Sequence, residues 1–383
     1  MSPYHIQPLK SDFRNTWNNF VVNHPYSGPL QLWEWGEVKR SIIWEPLRLG
    51  IFYHKKLVGS AQILRRRLPL GFNLLYCPRG PVLDWSSPQS ALALKSLLGY
   101  IKNNYSSLQT LFFRLEPQIG KTYNPQPTTY NLSPYFKSIQ PSHTSIIDLT
   151  PKPGEIIYNM DKDTRYGIRR AAREGVEVVM DTGQKLELWK AFYEMYIKTA
   201  EKGFVPRSWR QFEKTFKLMA PNGQAILFLA FLPRRSVGQA GFFASQRDEH
   251  QDIPKTLISK LPPGAQIIAG AIILKTRKQG CYLWGASDIT PETKNLYAPY
   301  LLQWEIMNSL KRDKVEEYDL WGIAPTDNSK HAWSGHTLFK KGFGGKRVDY
   351  LGVLDLPLSP LYRPYRMLDY MRQRIYQPDL IGN

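Results

Sequence analysis

Residues 161–178 read DKDTRYGIRRAAREGVEV, and on a 3.6-residue wheel Lys162, Arg165, Arg169 and Arg173 fall within one narrow arc, with Arg170 next to it. Asp161 or Asp163 caps such a helix and Gly175 closes it. A cationic stripe of this kind can follow a run of phosphates. The alternative is a solvated charged face, the usual meaning of a charge run. Beyond the capping Asp161 and Asp163, only Glu174 and Glu177 lie close in sequence to balance four guanidiniums, and like charges on one face repel until an anion arrives. The segment KKGFGGKR has the glycines of a phosphate loop but departs from GxxxxGK[ST] at Lys340 and Arg347. That leaves a tight glycine turn or a backbone anion cradle. His331 and His336 in HAWSGH do not make the HExxH pair, and seven dispersed histidines with Cys77 and Cys281 form no metal constellation. Neither GxSxG nor GxGxxG is present, so nucleophilic hydrolase and dinucleotide chemistry have no support.

The elements that must carry these residues alternate between strand and helix, and one pattern occurs twice. PLRLGIFYHKKLVGSAQILRRR and FNLLYCPRGPVLD read as strands, SPQSALALKSLLGYIKNNY as an amphipathic helix and LQTLFFRLEP as a further strand. AILFLAFLP and IIAGAIILKTRKQGCYLWGAS, then YAPYLLQWEIMNSLKRDK and EEYDLWGIAP, repeat that order. The expected fold class is therefore α/β (α+β), a duplicated unit with mixed central sheets. The turn-rich stretch QPSHTSIIDLTPKPG marks the junction: residues 1–147 form the first domain and 148–346 the second, with 347–383 packing back on the first. Residues 234–266, without a clear period, read as a surface insertion.

Lys plus Arg outnumber Asp plus Glu by 51 to 32, a formal charge of +19, which favours polyanionic partners: nucleic acid, nucleotide phosphates or an anionic membrane. Two cysteines in 383 residues make no disulfide framework and suit a reducing compartment, so a cytoplasmic location is expected. The start MSPYHIQPLKSDF lacks a signal pattern, and apolar runs such as AQIIAGAIIL are about half of the ~20 residues a spanning helix needs.

QLWEWGEVKRSIIWEPLRL, TRYGIRRAAREGVEV, YLWGASDITPETKNLYAPYLLQWEIM, YDLWGIAP and LFKKGFGGKRVDYLGVLDLPL resemble, in that order, blocks of the FemABX family of peptidoglycan bridge-forming aminoacyltransferases. The resemblance spans about residues 30–358. It implies a tandem of two acetyltransferase-like (GNAT) domains, and transfer of an amino acid from aminoacyl-tRNA to the side-chain amine of the stem peptide. The acceptor the resemblance implies is lipid II or UDP-MurNAc-pentapeptide. Lys39 in WGEVK and Arg207 in VPRSWRQF match the basic pair that holds the acceptor's diphosphate, a point charge with a bidentate fork. Glu116 in FFRLEP matches an acidic position near the acceptor amine, which makes it a candidate catalytic base for the amine proton, where a plain reading makes it a strand-end partner of Arg114. Phe339 and Lys340 match the pair beside the transferred aminoacyl group, where a cation stabilises the developing oxyanion. Around the acceptor the resemblance also places Tyr297. Leu111, Gln211 and Trp284 stand where users of the soluble precursor carry tyrosines, which leaves the choice of acceptor open. Lys162, Arg165, Arg169, Arg170 and Arg173 become the tRNA contacts. Residues 234–266 stand where some members insert a coiled-coil arm, and lack the heptads for a long one.

The implied reaction is acyl transfer from an activated ester to an amine, without metal or cofactor, in which positioning, amine deprotonation and oxyanion stabilisation do the work. Two rivals remain. RSVGQA at 235–240 loosely fits the turn that holds acyl-CoA pyrophosphate, and charge alone permits a non-catalytic RNA-binding protein. The tail SPLYRPYRMLDYMRQRIYQ mixes arginines with apolar residues: either it is a terminal helix, shortened by Pro364 and docked on the first domain, or it rests on the inner leaflet of the membrane as a peripheral contact. A monomer is expected.

Overall fold

A computed structural model describes residues 2–40, 42–121, 130–135, 137–201, 203–233, 256–258 and 260–376. The chain divides into two compact units: residues 1–144 with 322–327 and 347–383, and residues 145–321 with 328–346.

The first unit contains β1 (Tyr4–Pro8), α1 (Arg14–Asn23), α2 (Trp33–Arg40), β2 (Trp44–Tyr53), β3 (Lys56–Arg67), β4 (Asn73–Cys77), α3 (Ser90–Tyr105), β5 (Thr110–Leu115) and β6 (Ser133–Tyr135). Next in chain order come β7 (His143–Asp148), α4 (Pro153–Tyr158), α5 (Lys162–Arg173), β8 (Glu177–Asp181), α6 (Leu186–Ala200), α7 (Trp209–Leu218), β9 (Ala225–Leu232) and β10 (Leu257–Ile258). They are followed by β11 (Gln266–Lys275), β12 (Gln279–Ser287), α8 (Ala298–Arg312), β13 (Glu317–Gly322), α9 (Ser334–Lys341), β14 (Lys346–Asp349), β15 (Val353–Pro357) and α10 (Tyr362–Tyr376).

The two sheets run β1-β2-β3-β4-β5-β15-β6 and β10-β8-β9-β11-β12-β13-β7-β14. In the first, β2, β3 and β4 pair antiparallel, α3 crosses over, and β5 returns parallel to β4. In the second, β9, β11 and β12 pair antiparallel, α8 crosses over, and β13 returns parallel to β12. The expected duplication of a mixed α/β unit is present. A parallel return needs a crossover, and in both copies the helix supplies it. α3 buries one stripe against its own sheet, Leu94, Leu97 and Ile101 with Ile51, Ile63 and Phe113, whereas α8 is buried nearly all round and packs Leu301, Ile306 and Leu310 with Phe228, Ile268 and Ile273.

Three sequence expectations need correction. Part of the segment read as a surface insertion joins the second sheet: β10 pairs parallel with β8, Leu257 opposite Val178. Residues 234–255, with the RSVGQA turn, lie outside the described residues. Pro364 does not shorten the tail helix. It occupies the first turn of α10, where its missing N–H removes no helical hydrogen bond. Arg114 is the partner of Asp355 on the adjacent β15 and not of Glu116, with Nε and Nη2 each 2.8 Å from a carboxylate oxygen. Among the described residues no helix is long and apolar enough to cross a membrane.

Candidate active site

Lys39 sits on the last turn of α2, a helix whose Trp33, Glu34, Trp35, Gly36 and Val38 are all buried. Its ammonium lies 4.6 Å from the Trp35 ring, a cation–π contact that fixes the stem and leaves the residue half-buried. A buried polar network locks the helix. Arg48 stacks 3.7 Å over the Trp33 ring, donates to the Trp33 carbonyl at 2.8 Å and pairs with Glu37 at 2.8 Å. Burial lowers the Arg48 pKa to about 10, against the opposing pull of Glu37. The Gln62 side chain donates to the Leu30 and Leu32 carbonyls, while its backbone N–H donates to the Gln31 side chain. Gly36 is required by this packing, because a Cβ there would stand 2.4 Å from the Gln62 Oε1.

Glu116 follows β5 directly and is only 3 % exposed. It accepts from the Tyr76 hydroxyl and from the backbone N–H groups of Ile139 (2.6 Å) and Gln140 (3.2 Å). Burial raises its pKa, and the Tyr76 hydrogen bond and the Arg79 charge oppose that rise. These partners give the carboxylate a structural task, the anchoring of residues 138–140. The adjacent cleft, lined by Arg79, Ser138, Gln140, Ser142 and Tyr350, holds about 170 Å³ including its open mouth. That is well under the ~300 Å³ at which ligand pockets begin.

In the second unit, Lys340 lies in the last turn of α9 with its Nζ 5.8 Å from the Tyr282 ring of β12. Desolvation lowers its pKa to about 8, partly offset by the carboxylate of Asp319 on β13. Asp319 is fully buried and accepts from the Trp321 N–H at 2.7 Å. Burial and then the Lys340 charge hold His336, one turn back on α9, below the ordinary histidine range. A desolvated ammonium with a tunable charge results. Phe339 turns the other way, 5.0 Å from Tyr300 and 5.2 Å from Phe343. The glycine segment after α9 is a tight turn and not an anion cradle. The N–H groups of Gly342, Phe343 and Gly344 donate to the carbonyls of Leu338, Lys340 and Lys341, so they are spent inside the turn. Gly344, at φ +75°, has no room for a side chain, since a Cβ would meet the Asn159 carbonyl oxygen at 2.4 Å.

α5 spans the expected helix and ends where Gly175 adopts φ +82°. Asp161 is its N-cap residue but makes no side-chain cap. Lys162, Arg169 and Arg173 are exposed on the stripe. Arg165 is not available in the same way: its guanidinium donates to the carbonyls of Tyr158 and Met160 at the end of α4. Arg170 bonds the Tyr166 hydroxyl at 2.8 Å, pairs with Glu174 at 3.3 Å and stands 6.0 Å from the Tyr297 ring. Tyr297, at φ +53° where α8 begins, links Tyr166 (5.8 Å) to Tyr300 (5.8 Å) and so to Phe339. One continuous aromatic chain therefore joins the basic helix to the helix that carries Lys340.

The remaining expected acceptor contacts are mostly interior. Gln211 on α7 is 3 % exposed, and Trp284 packs its ring 4.7 Å from Phe212. Leu111 lies in the cluster covered by Tyr362 of α10. None of the three presents a side chain to a ligand in this arrangement, because helix packing covers what strand alternation alone leaves undecided. Arg207 is exposed between α6 and α7, with its backbone N–H 3.4 Å from the Tyr196 hydroxyl. Asp319 and Tyr282 were missed by sequence reading. A lone Asp in an apolar strand, as in EEYDLWG, was the signal that could have found the first.

The chain matches the FemAB family over residues 13–133, 128–237 and 243–370. A "Lipid II:glycine glycyltransferase" of Staphylococcus saprophyticus is 26 % identical over 90 % of this chain and 92 % of that protein. The protein of the same name from Staphylococcus aureus (strain COL) is 25 % identical over 90 % of this chain and 91 % of its own length. Among solved structures, one described as "Crystal structure of FemX" superposes with a TM-score of 0.76 at 22 % identity, covering 95 % of this chain and 99 % of that one.

Proposed function

Because the chain belongs to the FemAB family, we propose that it is an aminoacyltransferase that adds an amino acid to the stem peptide of a peptidoglycan precursor, with aminoacyl-tRNA as donor and lipid II as acceptor. The observation that carries the reading is the placement of Lys340, part-buried at the end of α9 with its Nζ 5.8 Å from the Tyr282 ring and within the electrostatic reach of Asp319. Attack of the acceptor amine on the ester carbonyl places negative charge on the carbonyl oxygen, and a pre-placed ammonium stabilises it. Collapse then breaks the bond to the ribose oxygen. The acceptor ammonium gives one proton to solvent before attack, and the amine's second proton ends on that leaving oxygen; because the amine attacks the ester directly, the reaction needs no covalent enzyme intermediate and no cofactor. Lys39 and Arg207 are assigned to the acceptor's diphosphate. Glu116 is assigned a positioning role, since its hydrogen-bonding capacity is spent on Tyr76, Ile139 and Gln140.

The decisive assay supplies labelled aminoacyl-tRNA with lipid II or with the soluble UDP-linked pentapeptide. Label moving to lipid II, and more slowly or not at all to the soluble precursor, is the expected result. Tight tRNA binding without transfer would favour an RNA-binding protein, and label moving only from acyl-CoA would favour the other acyltransferase class.

The exposed stripe of α5 is assigned to the tRNA backbone. Changing Lys162, Arg169 and Arg173 together to Gln is expected to reduce the slope of log affinity against log salt by about 2 to 3, roughly one for each phosphate that is no longer neutralised. Arg165→Gln alone should leave that slope unchanged and lower thermal stability instead, since its guanidinium binds the end of α4. Filter binding across a salt series, beside thermal melts, separates the two effects.

A further inference from the structure

The β3–β4 turn and the outer face of α10 make a surface that folding alone does not account for. Leu70 is 91 % exposed at the tip of the turn and is held at φ +59°. A branched apolar side chain in that region is disfavoured, and Gly or Asn is the ordinary occupant of such a turn position. The turn is nevertheless well held, with the Leu68 N–H donating to the Phe72 carbonyl at 2.7 Å. Leu68 and Phe72 at its base pack into the cluster of Leu111, Phe112 and Tyr362, which brings the turn beside α10.

α10 is docked by Tyr362 and Tyr365, and Asp369 on the same face accepts from the Tyr135 hydroxyl. On a helical wheel its outward face is the apolar one: Met367 is 63 % exposed, Leu368 62 % and Met371 42 %. Basic residues flank both elements. Arg66 and Arg67 end β3, and Arg363 and Arg372 lie exposed on α10. Arg66 is near enough to Tyr365 for its charge to act on that hydroxyl. The nearby acids are engaged, Glu45 with Arg65 and Asp369 with Tyr135.

We infer that Leu70 and the outer face of α10 together form a docking surface for an anionic lipid bilayer. Leucine and methionine enter the boundary between headgroups and acyl chains, while the arginines meet lipid phosphates. Charge selects this occupant. A second copy would bring the same arginines face to face on a chain that already carries +19, and like charges so placed oppose association. The inference does not depend on the transfer reading, although a surface-bound enzyme would meet a lipid-linked acceptor at raised local concentration.

The test is flotation of the full chain with vesicles of phosphatidylcholine containing a quarter phosphatidylglycerol, against pure phosphatidylcholine, at low and high salt. Binding to the anionic vesicles alone, weakened by salt, is expected. Leu70→Ser with Met371→Ser should reduce partitioning by about tenfold or more. Arg66→Gln with Arg67→Gln should reduce it about fivefold per residue and flatten the salt dependence. All four positions are exposed, so melting temperature and tRNA binding should be unchanged. Lys340→Met should retain vesicle binding, which separates failure of this inference from failure of the transfer reading. Absence of wild-type binding at low salt overturns the inference, as does equal binding by both double variants. So does concentration-dependent dimerisation that Leu70→Ser abolishes in a chain that ignores vesicles.

Discussion

Replacing Lys340 with Met is expected to lower the rate of transfer by about a hundred- to a thousandfold while leaving the protein as stable as before or more so. The two effects run in opposite directions for one physical reason. The ammonium is held where burial opposes its charge, so removing it takes away a cost of folding, and the same desolvation strengthens its pull on a developing oxyanion. The pH dependence follows with a definite sign. Protonated Lys340 is the active form, so it contributes an alkaline limb, with activity falling as pH rises through about 8. Its folded pKa is depressed below the ordinary lysine value, so the cost to stability is fully present below about 8 and is relieved as pH rises from there toward the unfolded value. The groups around it are Asp319, which supports the charge, Tyr282, whose hydroxyl is pushed up to about 12 by burial, and His336, held low and therefore neutral near pH 8. Lys340→Arg should keep part of the activity and move the alkaline limb out of the measurable range, because a guanidinium does not titrate there. Single-turnover rates from pH 6 to 10, beside thermal melts, check both statements. A limb that stays near 8 in the Arg variant would belong to another group.

Asp355→Ala is expected to destabilise the first unit by about 3 to 5 kcal/mol, the scale for removing one member of a buried ion pair. Asp355 is fully buried between β5 and the tail, and its two oxygens take the Nε and Nη2 of Arg114. Tyr362 of α10 donates to it at 3.0 Å, and Arg114 lies 3.8 Å from the Tyr135 ring. Loss of the carboxylate strands a buried guanidinium and unfastens the first turn of α10. Denaturant midpoints measure the loss. The pair Arg114→Leu with Asp355→Leu should recover most of it, since two apolar residues leave no unpaired charge. If the double variant were as unstable as the single, the cost would come from packing and not from the orphaned Arg114.

The sequence carried some of these elements clearly and others not at all. α3, α8 and α5 were legible because an amphipathic helix repeats its apolar or charged positions every three or four residues, within a single segment. α6 and α7 went unread, although LELWKAFYEMYIKTA repeats its large apolar residues at the same spacing. β10 was beyond reach, because two residues beside β8 carry no period.

Spacing in the chain by itself determined the tandem of two α/β units, the cationic stripe, the excess positive charge and the ordered blocks that mark the family. All of these are local patterns or sums over residues. Only the tertiary structure decided which partner each charge meets. Arg114 finds Asp355 across 241 positions and not Glu116 two residues on, because β15 inserts beside β5. Glu116 is consumed by Tyr76 and two backbone amides, Leu111 is covered by α10, and Arg165 is turned onto the end of α4. Lys340 owes its lowered pKa to the burial that the fold imposes on it, partly offset by Asp319, which is 21 residues away in the chain. A side chain's type is written in the sequence, but its desolvation and its partner are set by whatever the fold packs around it, and these two quantities decide its chemistry.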